Sequence, residues 1–205
     1  MHGQEAVRCH VATGGTPRTL YLDLAALITQ ADRTQNSIVA HLDRCIARDV
    51  PASTSAIVHL EDPDSVALAS RIKAHLVGCG RSEDAVPLIS AADLVKNPGS
   101  HVLGMGVVLV VASVVVTGRS LLLVSRVLRR AHEDGSIMYF VLVARMSDEQ
   151  RWRDTKSNLR YGRSRPGEHN LTVIDTIELP DDRDAEETTW DAEIRFWTRI
   201  IECSI

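Results

Sequence analysis

The sequence predicts an α/β fold, a doubly wound, mainly parallel sheet flanked by helices, in a single domain spanning residues 1–205. Three observations carry that expectation. Residues 107–111 (VVLVV) form an unbroken apolar run rich in β-branched residues, the composition of a strand covered on both faces. A helix pattern over 120–132 and a second apolar strand, SIMYFVLVA over 136–144, follow directly, which is the layout of a parallel, right-handed βαβ unit. An earlier strand–helix pair, SAIVHL (55–60) and DPDSVALASRIKAHL (62–76), repeats the alternation. The core is expected over about residues 55–145, with a C-terminal strand–helix extension over about 146–205.

Taken in order, AVRCHVA (6–12) has strand character and ends at the turn signal Gly14-Gly15-Thr16-Pro17; GGTPRT (14–19) reads as an ordinary turn. Ile38, Val39, Leu42 and Ile46 recur at helical spacing, predicting an amphipathic helix over about 36–48. In the helix over 62–76, Val66, Ala69, Ile72, Lys73 and Leu76 keep the period, and Asp64 is the expected N-cap. A weak strand (85–90) leads to a short helical turn (91–95) and a Pro98-Gly99 loop. The helix over 120–132 sets Leu121, Val124, Leu128 and Ala131 against Arg126, Arg129 and Arg130 on the other side. LTVIDTIEL (171–179) alternates like a strand, and 190–201 reads as a closing helix with Ile194, Trp197 and Ile201 inward.

Composition excludes several classes. A net charge of −4 gives no basis for general nucleic-acid binding, so nucleic acid is not an expected partner. The most apolar stretch, 105–116, falls short of the roughly 20 residues a membrane span needs, so no membrane association is expected. The four cysteines (Cys9, Cys45, Cys79, Cys203) form no CxxC pair and the N-terminus is not signal-like, so the expected location is the cytoplasm, with reduced thiols. The histidines do not cluster. Cys9-His10, and His41 with Cys45 one helical turn on, lack further ligands, and no metal site is expected. The C-terminal region is polarised: residues 145–165 hold seven basic and three acidic side chains, whereas 175–193 hold nine acids and one Arg. These are either two solvated faces that offset one another or patches facing protein partners. Trp152, among Arg151, Arg153 and Arg160, is expected to be exposed or partner-facing, with a nucleobase-stacking role as the alternative. Trp190, Phe196 and Trp197 are expected to anchor the last helix or to serve a protein interface.

The turn after the central strand carries the functional signal. Thr117-Gly118-Arg119-Ser120 joins a strand's C-terminus to a helix N-terminus, where backbone N–H groups and the helix dipole favour an anion. Gly118 permits a close or left-handed backbone, and Thr117 and Ser120 add hydroxyls. In an open α/β sheet, ligands gather at such strand ends. The four residues read equally as a phosphate cradle or as an ordinary βα turn. Neither Ser113 nor Ser120 sits in a nucleophile-elbow context with a base.

The stretch resembles the signature of the type I phosphoribosyltransferases: an apolar strand, two adjacent acids, two apolar residues, usually an acid, then Thr-Gly-x-Thr/Ser opening a helix. The resemblance covers roughly residues 55–145. Here 108–111 match the strand, Ala112 and Ser113 occupy the paired-acid positions, Val116 stands at the following acid, and residues 117–120 match the phosphate loop. The resemblance implies that the paired acids of an active member hold the ribose hydroxyls of phosphoribosyl pyrophosphate. Ala112 and Val116 cannot do this work, and Ser113 can offer one neutral hydrogen bond. Each lost charge-assisted hydrogen bond is worth about 1.5–3 kcal/mol, so losing several lowers a rate by roughly a thousandfold or more. The position matching the family's pyrophosphate loop reads Glu61-Asp62-Pro63-Asp64-Ser65, whose carboxylates repel a polyanion. The segment after Arg145 is similar to divergent phosphoribosyltransferase-like proteins of bacterial conflict and antiphage defence systems.

The resemblance therefore implies a catalytically degenerate protein with no catalytic residues and no cofactor. It implies a nucleotide or sugar phosphate ligand at Thr117, Gly118, Arg119, Ser120 and Ser113, with other protein subunits as partners. Two alternatives stand beside it: an active phosphoribosyltransferase or other nucleotide-processing enzyme using atypical residues, and a purely structural subunit.

Overall fold

The computed structural model describes residues 7–11, 17–22, 37–133, 135–146, 149–161 and 169–178. A hairpin opens the chain, β1 (Val7–Val11) pairing antiparallel with β2 (Pro17–Leu22). The stretch at 14–19 read as a plain turn thus delivers Pro17, Arg18 and Thr19 into a strand, with Pro17 at its first position, where its missing N–H is tolerated.

The remainder alternates as the sequence predicts. The order is α1 (Ser37–Asp49), β3 (Thr54–His59), α2 (Pro63–Gly78), β4 (Leu88–Ser90), α3 (Ala91–Lys96), β5 (Val107–Val115), α4 (Arg119–Ala131), β6 (Ile137–Met146), α5 (Glu149–Arg160) and β7 (Asn170–Glu178). Strands β3 to β7 form one five-stranded sheet in the order β4-β3-β5-β6-β7, and every pairing is parallel. The fold is an α/β doubly wound sheet. Chain order reverses between β3 and β5, and the crevice beyond their carboxyl ends is where such sheets hold ligands.

Strand periodicity divides the core in two. Ala56, Val58, Val108, Val110, Ala112, Tyr139 and Val141 face one side, where Leu121, Val124 and Leu128 of α4 and Trp152 and Leu159 of α5 cover them. Ile57, Leu109, Val111, Met138 and Phe140 face the other, covered by Leu42 and Ile46 of α1 and Leu68, Ile72 and Leu76 of α2. Both faces of β5 are therefore buried, which explains its unbroken apolar run; each fully buried valine contributes about 1.5–3 kcal/mol. The buried hydroxyl of Tyr139 donates to Ser125 Oγ at 2.7 Å.

The region expected as an extension starts by completing the sheet. Helix α5 was not anticipated from the sequence, because its face is mostly charged, yet Trp152, Thr155 and Leu159 form a buried stripe at helical spacing. Strand β7 pairs along the length of β6. The expected helix over 190–201 and most of the acidic stretch lie outside the described residues. Among the described residues, no helix is long and apolar enough to cross a membrane.

Candidate functional site

Strand β5 ends at Val115, and the chain turns at 116–118 into α4. Gly118 makes the turn with φ 68° and ψ 2°, a left-handed conformation that L side chains resist. A Cβ there would lie 2.5 Å from Thr155 Cγ2 of α5. Both constraints require glycine, and the second arises from a helix 37 residues further along the chain. Gly118 is also the N-cap of α4, and it has no side chain with which to cap. Its carbonyl accepts from the Leu122 N–H at 3.0 Å, while the Arg119 N–H meets Thr117 Oγ1 only at 3.5 Å, too long for a strong bond. Thr117, Arg119 and Ser120 are exposed. Beyond this long Thr117 contact the first turn of α4 has no side-chain cap, the arrangement that suits an anion.

Across the crevice, the end of β3 is organised differently. Asp62, not Asp64, is the N-cap of α2, and Pro63 follows as the first helical residue. Asp62 Oδ1 accepts from the Ser65 N–H at 2.8 Å, and Oδ2 accepts from Ser65 Oγ at 2.7 Å. Asp64 lies buried in the first turn, where its charge is favourable to the helix dipole. Glu61 reaches sideways to cap α3, accepting from the Ala92 N–H at 2.8 Å and from Ser90 Oγ at 2.7 Å. The Ala92 N–H and, next, the Ser90 hydroxyl hold its carboxyl below the ordinary value. The three carboxylates are thus anchored to the starts of α2 and α3, and two of them take N-terminal positions that an anionic ligand would otherwise compete for.

Ser113 closes the crevice. Its hydroxyl donates to Asp62 Oδ1 at 2.7 Å, and its N–H donates to Ser65 Oγ at 2.8 Å. The side chain is buried, so this expected ligand contact is already engaged with the protein's own carboxylate. Ala112 is wholly buried in the core on the other face of β5. Val114 and Val116 are the residues that reach the surface, 41% and 55% exposed, and they give the mouth of the crevice an apolar rim. The structure thus brings Thr117, Gly118, Arg119 and Ser120 together on one open turn and sets Ser113 apart in a closed network. Asp62 and Ser65 were missed as partners of Ser113. The Asp-Pro pair at a helix start was their available signal, since it marks an N-cap followed by the first helical residue.

One further expectation changes. Trp152 is buried at 5% exposure within the core, so it is neither a nucleobase platform nor partner-facing; the Lys156 ammonium lies 5.7 Å from its ring centroid. The exposed Arg151, Arg153 and Arg160 form the solvent face of α5, with Arg153 paired to Glu149. His41 Nε2 lies 3.6 Å from Cys45 Sγ, and among the described residues no group of three or more His, Cys, Asp or Glu side chains is placed to hold a metal.

No protein-family model matches the chain, and no curated protein matches it significantly. Among solved structures, it is similar to the xanthine-guanine-hypoxanthine phosphoribosyltransferase of Helicobacter pylori, with a TM-score of 0.39 and 14% identity over 80% of this chain and 91% of that one. It is also similar to a purine phosphoribosyltransferase from Pyrococcus horikoshii Ot3, with a TM-score of 0.34 and 12% identity over 69% of this chain and 87% of that one.

Proposed function

We propose that this chain is a catalytically degenerate phosphoribosyltransferase-like protein. In this reading it holds a phosphate-bearing ligand, a nucleotide or sugar phosphate, on the turn formed by Thr117, Gly118, Arg119 and Ser120, and acts as a binding or interaction subunit. One observation carries it: an uncapped, exposed helix start stands beside a crevice whose reactive positions hold Ala112, Val116 and a Ser113 already bonded to Asp62. The turn can grip an anion through N–H groups and the Arg119 guanidinium. The crevice offers no free carboxylate from Ala112, Ser113 or Val116 to steady a developing positive charge on a sugar, so binding without turnover is the chemistry it supports. A cytoplasmic role beside other protein subunits, in bacterial antiphage defence, is part of the proposal; the defence setting rests on the resemblance of the segment after Arg145, and the location on the scattered cysteines.

The test has two arms. Incubation with phosphoribosyl pyrophosphate and a panel of purine and pyrimidine bases should give no nucleoside monophosphate, and robust turnover overturns the reading. Melting in the presence of nucleotides and sugar phosphates should show stabilisation, about 2.7 kcal/mol for a ligand at 100 times its dissociation constant. Arg119→Ala with Ser120→Ala, both at exposed positions, should abolish that stabilisation without lowering the melting temperature of the free protein. A second reading is favoured by the Asp62–Ser65–Ser113 network, which fills the crevice with the protein's own side chains: a purely structural subunit. If no phosphate compound shifts the melting, that reading prevails.

A further inference from the structure

The two sides of the sheet carry very different charge. Helices α1 and α2 on one side hold four basic and three acidic residues, and the pairs Arg71 with Asp43 and Arg48 with Asp49 leave that surface nearly neutral. Helices α4 and α5 on the other side hold eight basic residues against two acids, Glu149 and Asp154. A chain charge of −4 gives no basis for general nucleic-acid binding, but that value averages over unlike surfaces.

Packing makes the basic surface continuous. Both helices cover the same side of the sheet, through Leu121, Val124 and Leu128 of α4 and Trp152 and Leu159 of α5. The Arg129 guanidinium ties them together, donating from Nη2 to the Asn158 carbonyl at 2.9 Å and to the Leu159 carbonyl at 2.8 Å. Arg119, Leu123, Arg126 and Arg130 recur at helical spacing along α4 and form one exposed stripe, about 16 Å long. No acid occurs in this helix. On α5, Arg151, Arg153 and Arg160 are exposed together with Ser157 and Asn158. Its two acids are already engaged: Glu149 pairs with Arg153, and Asp154 accepts from Gln150 Nε2 at 3.0 Å. Among the described residues no carboxylate pairs with Arg119, Arg126 or Arg130.

The character of this surface selects among polyanions. Seven of the eight cations are Arg, whose planar fork matches phosphate oxygens. The exposed neutral groups among them, Ser120, Ser157 and Asn158, are of the kinds that contact a nucleic-acid backbone. A protein interface gathers apolar side chains at its centre and depletes charge there. Here Leu123 is the one large apolar side chain that α4 and α5 expose. Surfaces that bind nucleic acid are instead polar and strongly cationic. We propose that the outer face of α4 and α5 binds the phosphate backbone of nucleic acid without reading its bases. The proposal does not rest on a ligand at the 117–120 turn, because Arg126 and Arg130 lie outside it.

The test is fluorescence anisotropy of the full chain with labelled single strands of about 20 nucleotides in two unrelated sequences, and with a duplex of the same length. At about 50 mM salt the single strands or the duplex should bind with a dissociation constant below about 10 µM, and the two sequences should agree within about threefold. Four contacts to a single strand give a salt slope of about −2.8, so affinity should fall roughly fiftyfold between 50 and 200 mM. Arg126→Gln with Arg130→Gln, both at exposed positions, should weaken binding at least tenfold and make that slope shallower by about 1.4. Arg44→Gln with Arg48→Gln removes the same charge from exposed positions on α1 and should leave binding unchanged. A peptide of residues 175–193, with nine acids and one Arg, should not displace the strand in tenfold excess. The proposal is overturned if neither strands nor duplex bind, if the two sequences differ by more than threefold, or if the α1 variant weakens binding as much as the α4 variant. It is equally overturned if the acidic peptide displaces the strand, which would make the partner a carboxylate-rich protein.

Discussion

Gly118→Ala isolates the two demands made on the turn at the head of α4. The first is conformational: alanine at φ 68° is strained by about 1–2 kcal/mol relative to glycine. The second is steric: the new methyl would stand 2.5 Å from Thr155 Cγ2, and overpacking of a buried contact typically costs about 1–3 kcal/mol. Together they predict a loss of about 2–5 kcal/mol. Thr155→Ser removes Cγ2 and keeps the hydroxyl that donates to the Arg151 carbonyl at 2.9 Å. The neighbours then remaining, Thr155 Oγ1 at 3.4 Å and Cβ at 3.5 Å, are at ordinary contact distance. In that background Gly118→Ala should retain only the conformational penalty, about 1–2 kcal/mol. Equilibrium urea unfolding of the four proteins in the cycle gives the coupling directly. Additivity within about 0.5 kcal/mol refutes the claim that α5 dictates the glycine, and a neutral Gly118→Ala refutes both parts of the argument.

Two other outcomes follow from the crevice. Asp62→Ala should cost about 2–4 kcal/mol in urea unfolding, because it removes an N-cap and strands the buried Ser113 hydroxyl; Asp62→Asn, whose one side-chain oxygen still accepts from the Ser65 N–H and the Ser113 hydroxyl but whose NH2 replaces the acceptor of the Ser65 hydroxyl, should cost less. Glu61 should make stability fall in acid. Its carboxyl is held below the ordinary value of 4.5 in the folded protein, so its contribution is complete above that value and is lost as pH falls through the folded value. Unfolding midpoints measured from pH 6 down to pH 3 should therefore fall more steeply for the wild type than for Glu61→Gln; identical slopes would rule out the Ala92 and Ser90 hydrogen bonds as the cause.

Much of this architecture is written in local patterns. Strands β3, β5 and β6 are legible because both of their faces are buried, so apolar residues run without interruption, and α4 is legible because Leu121, Val124 and Leu128 recur at the helical period. The uncharged side chains of Ala112, Ser113 and Val116, and the turn at 117–120, were equally visible, since both lie within one continuous segment. Helix α5 carried a weaker signal, three buried residues among charged ones, and β2 was hidden behind a turn whose far side looked like more turn.

What the tertiary structure alone decided are the contacts between segments far apart in the chain. Sheet order sets β3 beside β5, and only then do Asp62 and Ser65 meet Ser113 and close the crevice. Packing of α5 on α4 brings Thr155 against Gly118 and turns a permissive glycine into a required one. The same packing joins the exposed arginines of the two helices into one face. The physical reason is one of range. Periodicity and capping act over a few residues, whereas the hydrogen bonds and close contacts that define a site depend on which strands become neighbours, and burial of the whole sheet selects that arrangement.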